Sequence, residues 1–232
     1  GEAVSDQSGR SISLSDDGNI VAIGARFNDG NGTNSGHVRI YEFNGTSWNQ
    51  LGVDIDGEAV EDNSGWFVSL SSDGNTIAIG AQHANGASNS GHVRIYKFNG
   101  TSWNQLGTDI DGESGADYLG GSVSLSSNGN TVAIGAHGND GSGFNAGHVR
   151  IYNWNGASWA QLGYDIDGEA EEDENGWSVS LSSDGNTVAI GAQFNDGNGT
   201  NSGHVRVYSL GGTQYTSPPC SGCTDSLAVN YD

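Results

Sequence analysis

The stretch Ser69–Tyr96, SLSSDGNTIAIGAQHANGASNSGHVRIY, decides the fold, because close copies of it begin at Ser13, Ser124 and Ser180. Each copy runs from an alternating segment through Asp-Gly or Asn-Gly into a small apolar segment. A Gly/Asn-rich loop follows, and then Gly-His-Val-Arg. Leu14, Leu70, Leu125 and Leu181 are 56, 55 and 56 residues apart, and His37, His92, His148 and His204 are 55, 56 and 56 apart. From each of the first three His to the next of these Leu is 33 residues, so the one-residue irregularity falls in the loop Gln82–Gly91. A deletion confined to a loop leaves strand register intact.

Working outward from that stretch, one unit reads as four strands: Trp66–Ser71, Thr76–Ala81, His92–Phe98 and Ser102–Leu106. Asp73-Gly74 (with Asp17-Gly18, Asn128-Gly129 and Asp184-Gly185) is read as supplying the positive φ angles of a first tight hairpin. Asn99-Gly100, with Asn44-Gly45 and Asn155-Gly156, makes the second. In the last copy Gly211-Gly212 falls at that turn, and Tyr215 takes the place of Trp48, Trp103 and Trp159. A four-stranded sheet alone cannot bury both faces, so neighbours must stack. Radial stacking of such sheets is the β-propeller. The expected fold is therefore all-β, with four four-stranded propeller-type blades over residues 1–217 (units of about 1–56, 57–111, 112–167 and 168–217). Residues 218–232 read as a linker and the start of a Cys-containing tail. The second strands, Val21–Ala25, Thr76–Ala81, Thr131–Ala136 and Thr187–Ala192, should be the most buried, and the tryptophans should lie between blades.

Composition narrows the function classes. The chain has 232 residues, 39 of them Gly, without the Gly-X-Y period of collagen. Its formal net charge is −21, a field that repels phosphate backbones and anionic lipid surfaces, which argues against nucleic-acid partners. No apolar run is long enough to insert in a membrane. The sequence contains no Met, which implies a removed leader or a segment of a longer chain.

The stretches GWFVSLSSDGNTIAIGAQ and GWSVSLSSDGNTVAIGAQ, followed by GHVRIY and GHVRVY, resemble the FG-GAP repeats of integrin α-subunit-like propellers. Gly-Trp stands in place of Phe-Gly, and Gly-Ala-Gln in place of Gly-Ala-Pro. The resemblance covers all four units. It implies a secreted or cell-surface, non-catalytic protein used in adhesion or structural display, whose partner is an extracellular protein, a glycan or further copies of itself. Two departures stand out. The family's DxDxDG-type calcium loop is reduced to Ser-Asp-Gly-Asn, and such propellers usually have seven blades where four are present. The tail CSGCTDSLAVNYD resembles small Cys-containing repeats of secreted and surface proteins.

Candidate sites follow from residue type. The connectors carry Asp54, Asp56 and Glu58, then Asp109, Asp111 and Glu113, then Asp165, Asp167 and Glu169, oxygen donors of the kind calcium accepts. No connector has the spacing of an EF-hand, and solvated acidic loops are the plainer reading. A calcium-dependent carbohydrate-binding module is the alternative function, with an extracellular hydrolase behind it. His37, His92, His148 and His204 read as a packing ladder with the Arg and Tyr of the same strand rather than as metal ligands, because every copy has one and Arg disfavours a nearby cation. Asn31, Asn44, Asn99 and Asn198 stand in Asn-Gly-Thr sequons. Cys220 and Cys223 are disulfide candidates, at least one of them expected to pair outside this spacing in the complete protein. An active site should break the repeat, and the breaks are Arg10, Gly121, Arg26, His83, Lys97, Tyr118, His137 and Phe144. None makes a nucleophile–base pair at readable spacing.

Overall fold

The computed structural model describes residues 1–84 and 88–210. The described elements are β-strands, with no α-helix among them. The first unit contains β1 (Ser11–Leu14), β2 (Ile20–Ala25), β3 (His37–Phe43), β4 (Trp48–Gln50) and β5 (Ile55–Asp56). The second contains β6 (Phe67–Leu70), β7 (Thr76–Ala81), β8 (His92–Phe98), β9 (Trp103–Gln105) and β10 (Ile110–Asp111). The third contains β11 (Ser122–Leu125), β12 (Thr131–Ala136), β13 (His148–Trp154), β14 (Trp159–Gln161) and β15 (Ile166–Asp167). The fourth contains β16 (Asn175–Leu181), β17 (Thr187–Ala192) and β18 (His204–Ser209). Every unit is an antiparallel meander in chain order.

Two local expectations change. The fourth strand is broken in two: β4 pairs with the C-terminal half of β3 and β5 with its N-terminal half, so Ile55–Asp56 belongs to the sheet rather than to a free connector. In the first hairpin only the glycines are left-handed, Gly74 at φ 68° for example, while the preceding Asp or Asn is not. The turn has Gly in the left-handed position, and the Asp works through its side chain. Asp73 accepts from the Ser71 hydroxyl at 2.6 Å and the Asn75 amide at 3.0 Å.

The units stack in sequence. One face of each sheet packs on the opposite face of the next. Ala22, Val38, Ile40 and Ile55 of the first unit meet Val68, Leu70, Ile77, Ile79 and Tyr96 of the second, and the same arrangement recurs at the next two seams. The inner strands are stitched across each seam, with the Leu70 amide donating to Ser13 Oγ, Leu125 to Ser69 and Leu181 to Ser124, at 2.9–3.0 Å. Gly80 permits a close approach between units. A Cβ there would stand 2.1 Å from the carbonyl oxygen of Gly120 in the next unit, and Gly24 and Gly135 meet Gly65 and Gly176 in the same way. The Gly of the first three AIGA strands is thus set by a neighbour 40 or 41 residues on, not by a turn.

Burial follows position in the stack. β7 and β12 are buried throughout, as expected for second strands, but β2 and β17 are buried at only three of their six residues. Ile12 and Leu14 on the outer face of the first unit are 67% and 57% exposed, whereas Leu70 and Leu125 are each 7% exposed. On the outer face of the fourth unit Val205 is 70% exposed, where Val38, Val93 and Val149 are fully buried. No described residue covers these two end faces. Trp103 and Trp159 do lie at seams, their indoles donating to the carbonyls of Leu51 and Leu106 in the preceding units at 2.8 and 2.7 Å. Trp48, with no described unit before it, is 47% exposed and does not lie between two of the described blades, its expected place. Tyr215 and the fourth strand of the last unit lie outside the described residues.

Candidate functional site: the variable rim

Each connector folds back on a buried aspartate. Asp62 accepts from the amides of Glu58 and Ala59 at 3.0 and 2.7 Å, and Asp6 and Asp117 repeat the pattern. Asn28, Asn139 and Asn195, at the start of the long loops, donate to Asp6, Asp117 and Asp173. These acids fix each connector against the loop after the second strand, at one rim of the array.

On that rim four positions vary while the frame repeats. The residue after the buried Asp is Gln7, Asn63, Tyr118 or Glu174. The residue before Ser11, Phe67, Ser122 or Ser178 of the first strand is Arg10, Trp66, Gly121 or Trp177, the last lying within the longer β16. The two residues after the second strand are Arg26-Phe27, Gln82-His83, His137-Gly138 or Gln193-Phe194. Six of the eight repeat-breaking residues belong to these positions, and the fold brings them into one row. The Arg26 guanidinium lies 4.4 Å from the centre of the Phe27 ring and 4.0 Å from that of Trp66, with Arg10 at 5.1 Å from Trp66. Trp66 meets His83 edge-on at 5.4 Å, and His83 meets Tyr118 at 5.6 Å. Tyr118 stacks on His137 at 5.3 Å, and His137 meets Trp177 at 4.9 Å. Gly121 makes room in this row, because a Cβ there would stand 3.0 Å from His137 Nδ1. Burial, reinforced by the nearby His83, pulls the His137 pKa down to about 4, so its ring is neutral at pH 7. Lys97 and Phe144 take no part in the row. Sequence reading singled out the breaks but could not place residues up to 167 positions apart on one rim.

At the first seam the row opens into a groove of about 660 Å³, lined by Arg26, Phe27, Val60, Glu61, Asn63, Trp66, His83 and Asn89. Arg26 Nε donates to Gln7 Oε1 at 2.8 Å. Among the described residues, neither Arg10 nor Arg26 has a carboxylate within ion-pair distance, whereas all four strand arginines do.

The connector carboxylates expected as calcium donors divide into two sets. Glu58, Glu113 and Glu169 reach forward to Arg94, Arg150 and Arg206 of the unit that follows them. Asp54 and Asp165 form two-point pairs with Arg39 and Arg150 of their own unit, both at 2.9 Å at the closest, and Asp109 lies 4.0 Å from His92. Asp56, Asp111 and Asp167 are exposed on the split outer strand. Glu2–His37–Asp54, Glu58–His92–Asp109 and Glu113–His148–Asp165 each gather within 4.8 Å, the donor set of a metal centre. In the first and third, however, the guanidinium of Arg39 or Arg150 bridges both acids and takes the cation's place. Hydrogen bonds from Arg39 hold the Asp54 carboxyl below the usual range. Burial, with Arg94 or Arg150 beside it, lowers His92 and His148. His37, His92 and His148 are buried with Nδ1 3.6–4.0 Å from Asp54, Asp109 and Asp165, whereas His204, the fourth of the expected packing ladder, is 23% exposed.

Asn31, Asn44, Asn99 and Asn198 are exposed. Asn44 and Asn99 cap the second hairpins through Oδ1, and the Asn31 amide donates to the Gly57 carbonyl at 2.8 Å. Cys220 and Cys223 lie outside the described residues.

Two stretches match the FG-GAP repeat. They are residues 2–41 and 166–208, each running from a connector into the third strand of the unit it enters. The FG-GAP matches thus fall on the first and fourth units, and the two between repeat the same frame. No curated protein matches the chain. Among solved structures, the chain is similar in fold to one named as a 6-phosphogluconolactonase of Bacteroides uniformis, with 11% identity and a TM-score of 0.58 over 86% of this chain and 49% of that one. It is also similar to the complex of KlAtg21 with the coiled-coil of AgAtg16, with 14% identity and a TM-score of 0.59 over 88% and 54%. The chain spans about half the length of these structures. At such identities the likeness concerns the fold alone.

Proposed function

We propose that this chain is a non-catalytic, extracellular or cell-surface repeat scaffold that serves adhesion or structural display. Its FG-GAP matches support the extracellular setting, and no helix among the described residues is long and apolar enough to cross a membrane. The observation that carries the reading is the division of labour within each unit. The residues that stack units are repeated with little change, whereas the residues that differ gather on one rim. A scaffold that holds its frame and varies its rim is built to contact something outside itself. Catalysis would require a nucleophile or a paired acid and base in reach of one another, and the row consists instead of aromatic, imidazole and guanidinium groups. Immobilising the full chain and passing extracellular matrix proteins and a glycan array over it tests the reading. Saturable binding without chemical change of the bound molecule is the expected result. Turnover of a bound substrate, or no binding to either class, would overturn it.

A further inference from the structure

The proposal concerns charge at the groove of the first seam, and it rests on the reading of the array as a ligand-binding scaffold. The chain carries seven Lys and Arg against 28 Asp and Glu. Four of the seven, Arg39, Arg94, Arg150 and Arg206, are paired with connector carboxylates. Of the three with no carboxylate in ion-pair distance among the described residues, Arg10 and Arg26 both lie over Trp66. A protein of net charge −21 therefore gathers two of its three uncompensated Lys and Arg side chains on one indole. The placement is built rather than incidental. Arg26 is held between the rings of Phe27 and Trp66, and its Nε is anchored on Gln7. Stacking on aromatic faces leaves the planar edge of a guanidinium for two-point pairing with a carboxylate.

The rest of the groove narrows the ligand. Phe27, Val60 and Trp66 supply apolar surface, and Asn63, Asn89 and His83 supply amide and imidazole groups. Rings beside hydrogen-bonding groups suit a molecule with both C–H faces and hydroxyls. The acidic surroundings, including Glu61 on the groove wall, repel phosphate and sulfate polyanions, so the ligand should carry no more than one carboxylate per sugar ring. We propose that the Arg26–Trp66–His83 groove binds an acidic saccharide, with a sugar carboxylate on the Arg26 guanidinium and the sugar rings along the aromatic row.

Calorimetric titration of the full chain with tetragalacturonate tests this, with its methyl ester and a hexaglutamate peptide as comparators. The esterified sugar keeps the shape and removes the charge. Saturable binding of the free acid, at least ten-fold tighter than the ester or the peptide, is expected. Arg26→Gln and Trp66→Ala should each weaken it at least ten-fold, with folding checked by circular dichroism. Arg10→Gln, at an exposed position, gives a milder variant should those two misfold, and it should weaken binding about three-fold. Lys97→Gln, away from the rim, should bind as the parent does. Equal binding of acid and ester, tighter binding of the peptide, or full affinity in Arg26→Gln would overturn the proposal. So would absence of tetragalacturonate binding. If the chain then still binds matrix protein or other glycans, the scaffold reading survives and the acidic-sugar assignment alone falls.

Discussion

The Arg26 guanidinium of the first unit lies 4.0 Å from the centre of the Trp66 ring, which stands at the entrance to the second. This contact ties two units together through side chains that no other pair of units shares. Cation–π contacts contribute about 0.5–2 kcal/mol according to their desolvation. A double-mutant cycle of Arg26→Gln and Trp66→Ala should return a coupling of about 1 kcal/mol by urea denaturation. A coupling near zero would mean that the two side chains are neighbours without mutual effect.

The end faces predict a strong dependence on position at one repeated residue. Leu70→Ala or Leu125→Ala removes a leucine packed at a seam and should cost about 2–4 kcal/mol. Leu14→Ala is the same substitution on an exposed face and should cost about 0.5 kcal/mol or less. Equal losses at positions 14 and 125 would show that something covers the first unit in solution.

Gly80→Ala and Gly135→Ala force a methyl group against a carbonyl of the next unit's backbone, which cannot rotate away. Each should lower stability by about 1–3 kcal/mol. Gly191→Ala meets only the Ser178 hydroxyl, a side chain that can turn aside, and should be close to neutral. The comparison is read from melting temperatures of the three variants.

Acid should weaken the row at a defined step. The His137 pKa is lowered to about 4 by burial and by His83, so the folded state binds fewer protons than the unfolded state between pH 6.5 and 4. Stability from this group is therefore full above pH 6.5 and falls as the pH drops towards 4. The shift corresponds to an upper value on the order of 3 kcal/mol. His137→Phe, which keeps a ring against Tyr118 and Trp177, should flatten that part of the stability–pH curve, while the acids and the buried His37, His92 and His148 keep theirs. An unchanged slope would place the acid sensitivity elsewhere.

Calcium should have little effect on the frame. In the first and third His–carboxylate triads Arg39 and Arg150 bridge the acids that a cation would need. Millimolar calcium, and chelator, should shift the melting temperature by less than about 1 °C, since only a ligand that binds the folded state raises it. A larger rise would revive the connectors as metal sites.

The sequence by itself determined the repeat, the strand order and the apolar faces. Those follow from alternation and turn chemistry, which act over a few residues and recur in every copy. It also marked Arg10, Arg26, His83, Tyr118, Gly121 and His137 as departures, without a reason for any of them. It misplaced Trp48, because a residue at the same position in its unit is buried only if another unit stands beside it. The split outer strand escaped notice as well, since Asp54–Asp56 reads as an acidic loop until Asp56 and Ile55 are seen paired with His37 and Val38. Only the tertiary structure decided that the departures form one row, that Gly80 answers to Gly120, and that two of the three arginine and lysine side chains without a carboxylate meet on Trp66. The physical reason is distance along the chain. Stacking sets residues about 55 positions apart side by side, and no local preference encodes what they will meet there.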